Sequence, residues 1–211
     1  MSNLQPYLQH SLKHGRFSTY TENPREHFQN RFFLECKQVH SANIIEVKQP
    51  EHHNNQQEAD GLIFFFNELN LGIAPVLAIK TADCLPIAII GQKGVALIHA
   101  GWRGLKQDIL SHQYIKHIDP IEAYIGPHIG QNSYEVSEEF EDHFAVFQTQ
   151  ALIKKHDKLF FNLGQFAQER LTTLFPGIDI QNSKVCTYST PELHSHRQNQ
   201  TKQRNWNIWI P

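Results

Sequence analysis

Three residues of this sequence, His40, Cys84 and His99, carry side chains that could bind a metal ion. Each lies where a predicted strand gives way to a turn, and such junctions let side chains converge while the backbone stays anchored. Two imidazoles and a thiolate suit Zn²⁺, with a fourth position open for water or substrate, and copper can use the same donors. The long spacings alone favour a plainer interpretation, a small buried core cysteine and a hydrogen-bonded histidine.

Asp83, Arg103 and His128 form a second group of candidates. Asp83 precedes the cysteine and could close the turn with its carboxylate or orient a ligand histidine. Arg103 stands at a predicted helix start, where backbone amides and a guanidinium can hold an anion such as phosphate; pairing with a surface carboxylate is the alternative. His128 lies in a glycine-containing loop and is a candidate for acid–base chemistry or substrate contact.

The elements that must position these residues are a mixture of strands and helices. Apolar runs predict strands, and apolar spacing with capping residues predicts helices. The first thirty residues are polar and are expected to be irregular. The predicted strands are Leu71–Lys80, Leu85–Ile90, Gly94–Ala100, Glu122–Ile125, Lys184–Tyr188 and Trp206–Ile210, and the predicted helices are Gly104–His117, Ser137–Val146 and one that Asn162 caps. This order does not alternate strictly, which favours an α+β or layered α/β domain.

Composition limits the class of protein. A length of 211 residues fits one domain over 1–211, and 40% hydrophobic residues can build a sizeable core. A net charge of −2 without basic runs argues against nucleic-acid and membrane partners, and no protein partner can be inferred. Three cysteines make a poor disulfide framework. With no signal-like start and no apolar run long enough to span a bilayer, we expect a cytoplasmic protein.

Several segments together resemble one known family. TADCLP, HAGWRGL and IGPHIGQNSYEV, with QVH and EADG before them and CTYS after them, are similar to the laccase-domain family. This family is also called the multicopper polyphenol oxidases, and its members are now regarded as purine nucleoside phosphorylases. The resemblance implies a single domain of mixed β-sheets flanked by helices, in a cytotoxic-necrotizing-factor-like fold.

The resemblance also implies a function. It places zinc, with copper possible, on His40, Cys84 and His99, which are then also the catalytic residues. It implies phosphorolysis of adenosine and inosine, with related activities toward methylthioadenosine and in adenosine deamination. Arg103, Arg197 and His128 are the positions implied for binding of the nucleoside or phosphate. The alternatives are a copper-dependent polyphenol oxidase and a metal-binding protein that has lost catalysis.

Two segments depart from the family pattern. The N-terminal segment before QVH is shortened and lacks the usual glycine-rich loop. The C-terminal SHRQNQTKQR replaces a segment close to SYRRDGxTGR; it keeps Arg197 and Arg204 but has Gln198 in place of the second arginine. Both departures are expected to affect substrate binding more than metal binding.

Overall fold

The computed structural model describes residues 4–48, 52–67 and 75–211, and in them the chain forms three β-sheets. The strands in chain order are β1 (Leu8–Ser11), β2 (Arg16–Tyr20), β3 (Phe33–Leu34), β4 (Ile44–Glu46), β5 (Gly61–Phe65), β6 (Val76–Thr81), β7 (Leu85–Gly91), β8 (Gly94–Ala100), β9 (Pro120–Ile125), β10 (Glu135–Val136), β11 (Leu152–Lys155), β12 (Lys158–Phe161), β13 (Asp179–Asn182) and β14 (Asn205–Ile210).

All but the smallest of the three sheets are mixed. A five-stranded sheet has the order β1-β2-β14-β6-β3, in which only β3 and β6 pair in parallel. A six-stranded sheet has the order β13-β9-β7-β8-β5-β4, with parallel pairs at both edges and antiparallel pairs between them. Strands β10, β12 and β11 form a small antiparallel sheet.

The core consists of layers on both faces of the six-stranded sheet. Successive side chains of a strand point to opposite faces, so an unbroken apolar run can bury both. In β7, Ile87 and Ile89 belong to the cluster beneath the helices, whereas Ala88 and Ile90 belong to the cluster shared with the five-stranded sheet. The fully buried Trp209 of β14 joins this second cluster from the five-stranded side.

Four α-helices flank the sheets in the described residues: α1 (Trp102–Lys106), α2 (Gln113–His117), α3 (Leu163–Leu174) and α4 (His196–Asn199). The predicted cap of α3 is confirmed, since the Asn162 side chain accepts a hydrogen bond from the Gln165 amide. Helix α3 buries Leu163, Phe166 and Leu171 against the six-stranded sheet. No helix among the described residues is both long and apolar enough to cross a membrane.

The prediction of one helix over Gly104–His117 is wrong. The segment contains the end of α1, a short 3₁₀ turn at Ile109–Ser111, and α2. Asp108 interrupts it, because this residue adopts left-handed backbone angles (φ 57°) and its carboxylate accepts two hydrogen bonds from the Arg170 guanidinium. The apolar residues of the segment do face the core, but they are divided among three short helical elements.

The prediction of an α-helix over Ser137–Val146 is also wrong. The chain instead forms 3₁₀ helices at Glu138–His143 and Ala145–Phe147. Ser137 forms no capping hydrogen bond through its side chain. The amides of Phe140 and Phe144 donate to the carbonyls of Ser137 and Glu141, three residues before them, which is the hydrogen-bond pattern of a 3₁₀ helix.

Two further predictions need correction, and one is confirmed. Part of the N-terminal segment is ordered as β1 and β2 rather than irregular. Lys184–Tyr188 is not a strand; it pairs only through a single bridge from Cys186 to His128, and the strand in this part of the chain is β13, directly before it. The strand predicted at Leu71–Lys80 is described only from Val76, since 71–74 lie outside the described residues. The α+β class with mixed sheets is confirmed.

Candidate metal centre and its cavity

The structure brings His40, Cys84 and His99 together. One ligand atom from each of the three lies within 4.8 Å of the other two. His40 is in the loop between β3 and β4, Cys84 in the turn between β6 and β7, and His99 in β8. The two imidazoles meet edge to face, with ring centroids 4.9 Å apart. His40 is exposed and His99 is buried, so the cluster is open on one side only.

Asp60 organises two of these three residues from beneath. Its side chain is fully buried just before β5. One carboxylate oxygen accepts from the His99 Nδ1 (2.8 Å) and the His40 amide (3.0 Å), and the other from the amide (2.5 Å) and hydroxyl (2.8 Å) of Ser41. A carboxylate only accepts, so Nδ1 of His99 carries the proton and Nε2 is left free for a ligand.

Gly101 allows the cluster to be this compact. A Cβ atom at this position would lie 3.0 Å from the Cys84 Sγ and 3.2 Å from the His40 Cδ2. Gly101 has ordinary backbone angles (φ −76°), so the absence of a side chain, and not an unusual backbone, is what the site requires. The glycine of the HAGW segment thus leaves space for the Cys84 Sγ and the edge of the His40 ring.

The electrostatics of the cluster favour a thiolate. Burial works to raise the pKa of the Cys84 thiol, but the charge of His99 and hydrogen bonds from His40 and His99 outweigh it and lower this pKa to about 6. The pKa of His99 rises to about 9 against the effect of burial, because the Cys84 thiolate and the Asp60 carboxylate both stabilise its charged form. A thiolate is the form of cysteine that binds metals.

The cluster opens into a cavity of about 1300 Å³ whose wall carries two predicted anion-binding residues. The Arg103 guanidinium lies 4.6 Å from the ring centroid of Trp102, and the Arg197 guanidinium lies 5.1 Å from that of Tyr134. Both arginines are exposed at the cavity. The aromatic rings beneath the two guanidinium groups stabilise their positive charges in the cavity wall.

Asp83 links Cys84 to the segment that carries Arg197. Its carboxylate accepts from the Thr187 hydroxyl and from the Arg197 amide, both at 2.7 Å. The backbone of Asp83 is left-handed (φ 94°), a conformation that few side chains adopt without strain. The Asp83 carboxylate therefore joins two distant segments instead of closing its own turn, and the carboxylate that orients His99 is that of Asp60.

His128 does not line this cavity. Its side chain is buried, and its Nδ1 donates to the Gly126 carbonyl at 2.8 Å. The opposite edge of the ring lies against Gly164 of α3, where a Cβ would be 2.7 Å from the His128 Nε2. Burial lowers the pKa of His128, which keeps the ring neutral. The geometry fits a residue that supports the loop after β9.

Two site residues were missed by sequence reasoning. Asp60 stands in EADG, where an acid directly before a buried strand is a signal for a buried carboxylate. Tyr134 stands in the NSYEV part of the loop after β9 and lines the cavity beside Arg197. Nothing in the sequence around Tyr134 distinguishes a cavity wall from ordinary core.

The fold and the cluster define an α+β protein with a His–Cys–His group of metal-binding type in the wall of a cavity. The chain belongs to the family described as multi-copper polyphenol oxidoreductase laccase, which matches residues 21–209. This membership confirms the resemblance found in the sequence motifs.

Relatives and solved structures agree with this family. A purine nucleoside phosphorylase of Aquifex aeolicus is 35% identical over 153 residues, covering 70% of this chain and 68% of that protein. A purine nucleoside phosphorylase of Rickettsia prowazekii is 29% identical, with coverage of 97% and 85%. The crystal structure of a Neisseria meningitidis protein superposes with a TM-score of 0.80 at 21% identity, covering 98% of this chain and 99% of that one.

Proposed function

We propose that this protein is a zinc-dependent purine nucleoside phosphorylase, with residues 1–211 acting as one domain. The observation that carries the proposal is a single cavity in which the His40–Cys84–His99 cluster and the guanidinium groups of two exposed arginines, Arg103 and Arg197, occur together. The names of the Aquifex and Rickettsia relatives supply the reaction class.

The reaction can be written on these residues. A phosphate oxygen attacks C1′ of the ribose, the bond from C1′ to the purine nitrogen breaks, and its electron pair leaves with the base. The base takes up a proton, and ribose 1-phosphate is the second product. Arg103 and Arg197 would hold phosphate, since guanidinium groups pair well with its oxygens. A bound zinc ion would act as a Lewis acid that stabilises negative charge developing on the base.

The cluster fits zinc in chemistry and size. Two ligands of one tetrahedral zinc ion lie roughly 3.5 Å apart, and the donor atoms here are within 4.8 Å of one another before any ion draws them in. The lowered pKa of Cys84 supplies the thiolate. The His99 nitrogen that Asp60 leaves free is the one available to the ion.

A copper-dependent polyphenol oxidase is the second candidate, and the family description favours it. A multicopper oxidase needs ligands for several coppers. Within the described ranges, this cluster is the only group of three or more histidine, cysteine or acidic side chains close enough to share an ion. Donor count therefore favours single-metal chemistry. Adenosine deamination remains a prediction from the resemblance.

The test is to incubate metal-loaded protein with inosine or adenosine, with and without phosphate, and to follow free base and ribose 1-phosphate. Cys84→Ala should abolish turnover while the protein stays folded. The matched control is Cys186→Ser, because Cys186 does not line the cavity. Phosphorolysis by Cys84→Ala at the wild-type rate would sink the assignment. A fully zinc-loaded but inactive wild type would indicate a binding protein, and oxygen uptake with stoichiometric copper would indicate phenol oxidation.

A further inference from the structure

Tyr134 lines the cavity with a hydroxyl group that the packing of its ring does not explain. It is fixed on one side by the aromatic core, with ring centroids 6.4 Å from Phe140 and 6.3 Å from Phe161. Its ring supports the Arg197 guanidinium at 5.1 Å. The same ring lines the cavity that holds the metal-type cluster. Packing and the cation–π contact account for the ring but not for the hydroxyl group.

The hydroxyl of Tyr134 is a neutral donor among charged groups. Burial raises the pKa of this phenol, the charge of the Cys84 thiolate raises it further, and the charges of Arg197 and Arg103 lower it. The raised pKa means that the hydroxyl stays protonated, and the ring that carries it shares the cavity with the cluster and with both arginines. Across the part of the chain that the structure describes, this hydroxyl has no hydrogen-bond partner in the protein.

Two further contacts position Arg197 above the Tyr134 ring. Its amide donates to the Asp83 carboxylate at 2.7 Å, and its Nη1 donates to the Glu135 carbonyl at 3.0 Å. These contacts leave the remaining N–H groups of the guanidinium for a ligand. The Tyr134 ring lies under this guanidinium and lines the same cavity, so a phosphate bound by Arg197 would lie within reach of the phenol as a second donor.

We propose that Tyr134 is a further catalytic residue, whose hydroxyl donates a hydrogen bond to an oxygen of the phosphate held by Arg103 and Arg197. This inference rests on the proposed phosphorolysis and assigns the residue to the phosphate rather than to the nucleoside. The phenol keeps its proton throughout. Its contribution is to bind and orient the attacking phosphate, while the proton that the base needs comes from elsewhere.

Tyr134→Phe tests this, because it removes only the hydroxyl and keeps the ring under Arg197 and against Phe140. A hydrogen bond to a charged group is strong enough that we expect kcat/KM for phosphate to fall at least about tenfold, or about 1.4 kcal/mol. The KM for the nucleoside should change by less than about threefold, because the substitution removes no proposed contact with the nucleoside. The control is Tyr114→Phe, because Tyr114 lies on α2 and does not line the cavity.

The outcomes separate this inference from the proposed function. An unchanged phosphate dependence in Tyr134→Phe, or a loss confined to the KM of the nucleoside, overturns the inference while phosphorolysis stands. Inactive wild-type protein overturns the proposed function instead. In that case titration calorimetry with inorganic phosphate decides the inference: equal affinity in wild type and Tyr134→Phe overturns it, and weaker affinity in the variant supports it. A melting temperature close to that of Tyr114→Phe shows that the variant is folded.

Discussion

Asp60→Asn should weaken metal binding without removing any ligand. The wild-type carboxylate receives N–H and O–H donors on both oxygens, including His99 Nδ1–H at 2.8 Å. An amide offers only one accepting oxygen, so its NH₂ must face one of these donors. If the NH₂ faces His99, the imidazole can satisfy it only by accepting at Nδ1, and the proton then moves to the nitrogen that should bind the metal.

The expected size of the effect follows from these contacts. Loss of a group that orients a ligand histidine commonly weakens metal binding about 10–100-fold, which is about 1.4–2.8 kcal/mol. Asp60 is fully buried, so an unmatched donor should also reduce the free energy of unfolding by about 1–3 kcal/mol. In a chain of this size that corresponds to a fall in melting temperature of about 2–12 °C.

Competition with a chelator for zinc would give the change in affinity, and thermal unfolding of the metal-free protein would give the change in stability. Asp108→Asn is the matched control, since it weakens a carboxylate–guanidinium pair with Arg170 away from the cavity. It should lower stability but leave zinc affinity unchanged. Wild-type zinc affinity in Asp60→Asn would refute the idea that this carboxylate sets the state of His99.

Two other predictions concern sterics and pH. Gly101→Ala should keep the fold, because φ at this position is ordinary. It should lower metal affinity, because the new Cβ would lie 3.0 Å from the Cys84 Sγ. Competition with a chelator measures the loss, and an unchanged affinity would contradict the steric argument. His112 accepts from the Tyr114 amide at the start of α2, and burial lowers its pKa. As pH falls, His112 is therefore protonated in the unfolded chain before it is protonated in the folded protein. The free energy of unfolding should consequently decrease as pH falls below about 6.5. His112→Asn keeps an acceptor at the cap and should flatten that decline in melting curves between about pH 7 and 5; an identical decline would contradict the assignment.

Secondary structure could be predicted from the sequence where it depends on the residues of a single segment. The apolar runs of β7 and β8 and the Asn162 cap of α3 each predict their own element, and all three are confirmed. The N-terminal strand β2 was not readable in this way. Its polar residues look like a loop until the sheet is formed, when Thr19 donates to Asn207 of β14 at 2.8 Å in the buried interior. Such polar pairs are favourable only once both partners are in place.

The two interrupted helices show a related limit. Spacing indicates which residues face the core, and Leu105, Ile109 and Leu110 do face it. Spacing does not report the backbone path between them. At Asp108 that path is set by Arg170, sixty-two positions away in sequence, so a helix drawn from local periodicity continues through a turn that a distant side chain stabilises.

The metal-type cluster depends on topology that no single segment contains. The chain leaves the five-stranded sheet for the six-stranded sheet after β3 and again after β6, and the first connection carries His40 while the second carries Cys84. Because β3 and β6 pair in parallel, both connections start from the same edge. There they meet β8, whose His99 is held by Asp60 at the start of β5. The order of the motifs can indicate which residues form the cluster. Their convergence, however, requires the parallel pairing of β3 with β6. Changes in the packing between the two sheets should therefore alter the distances within the cluster.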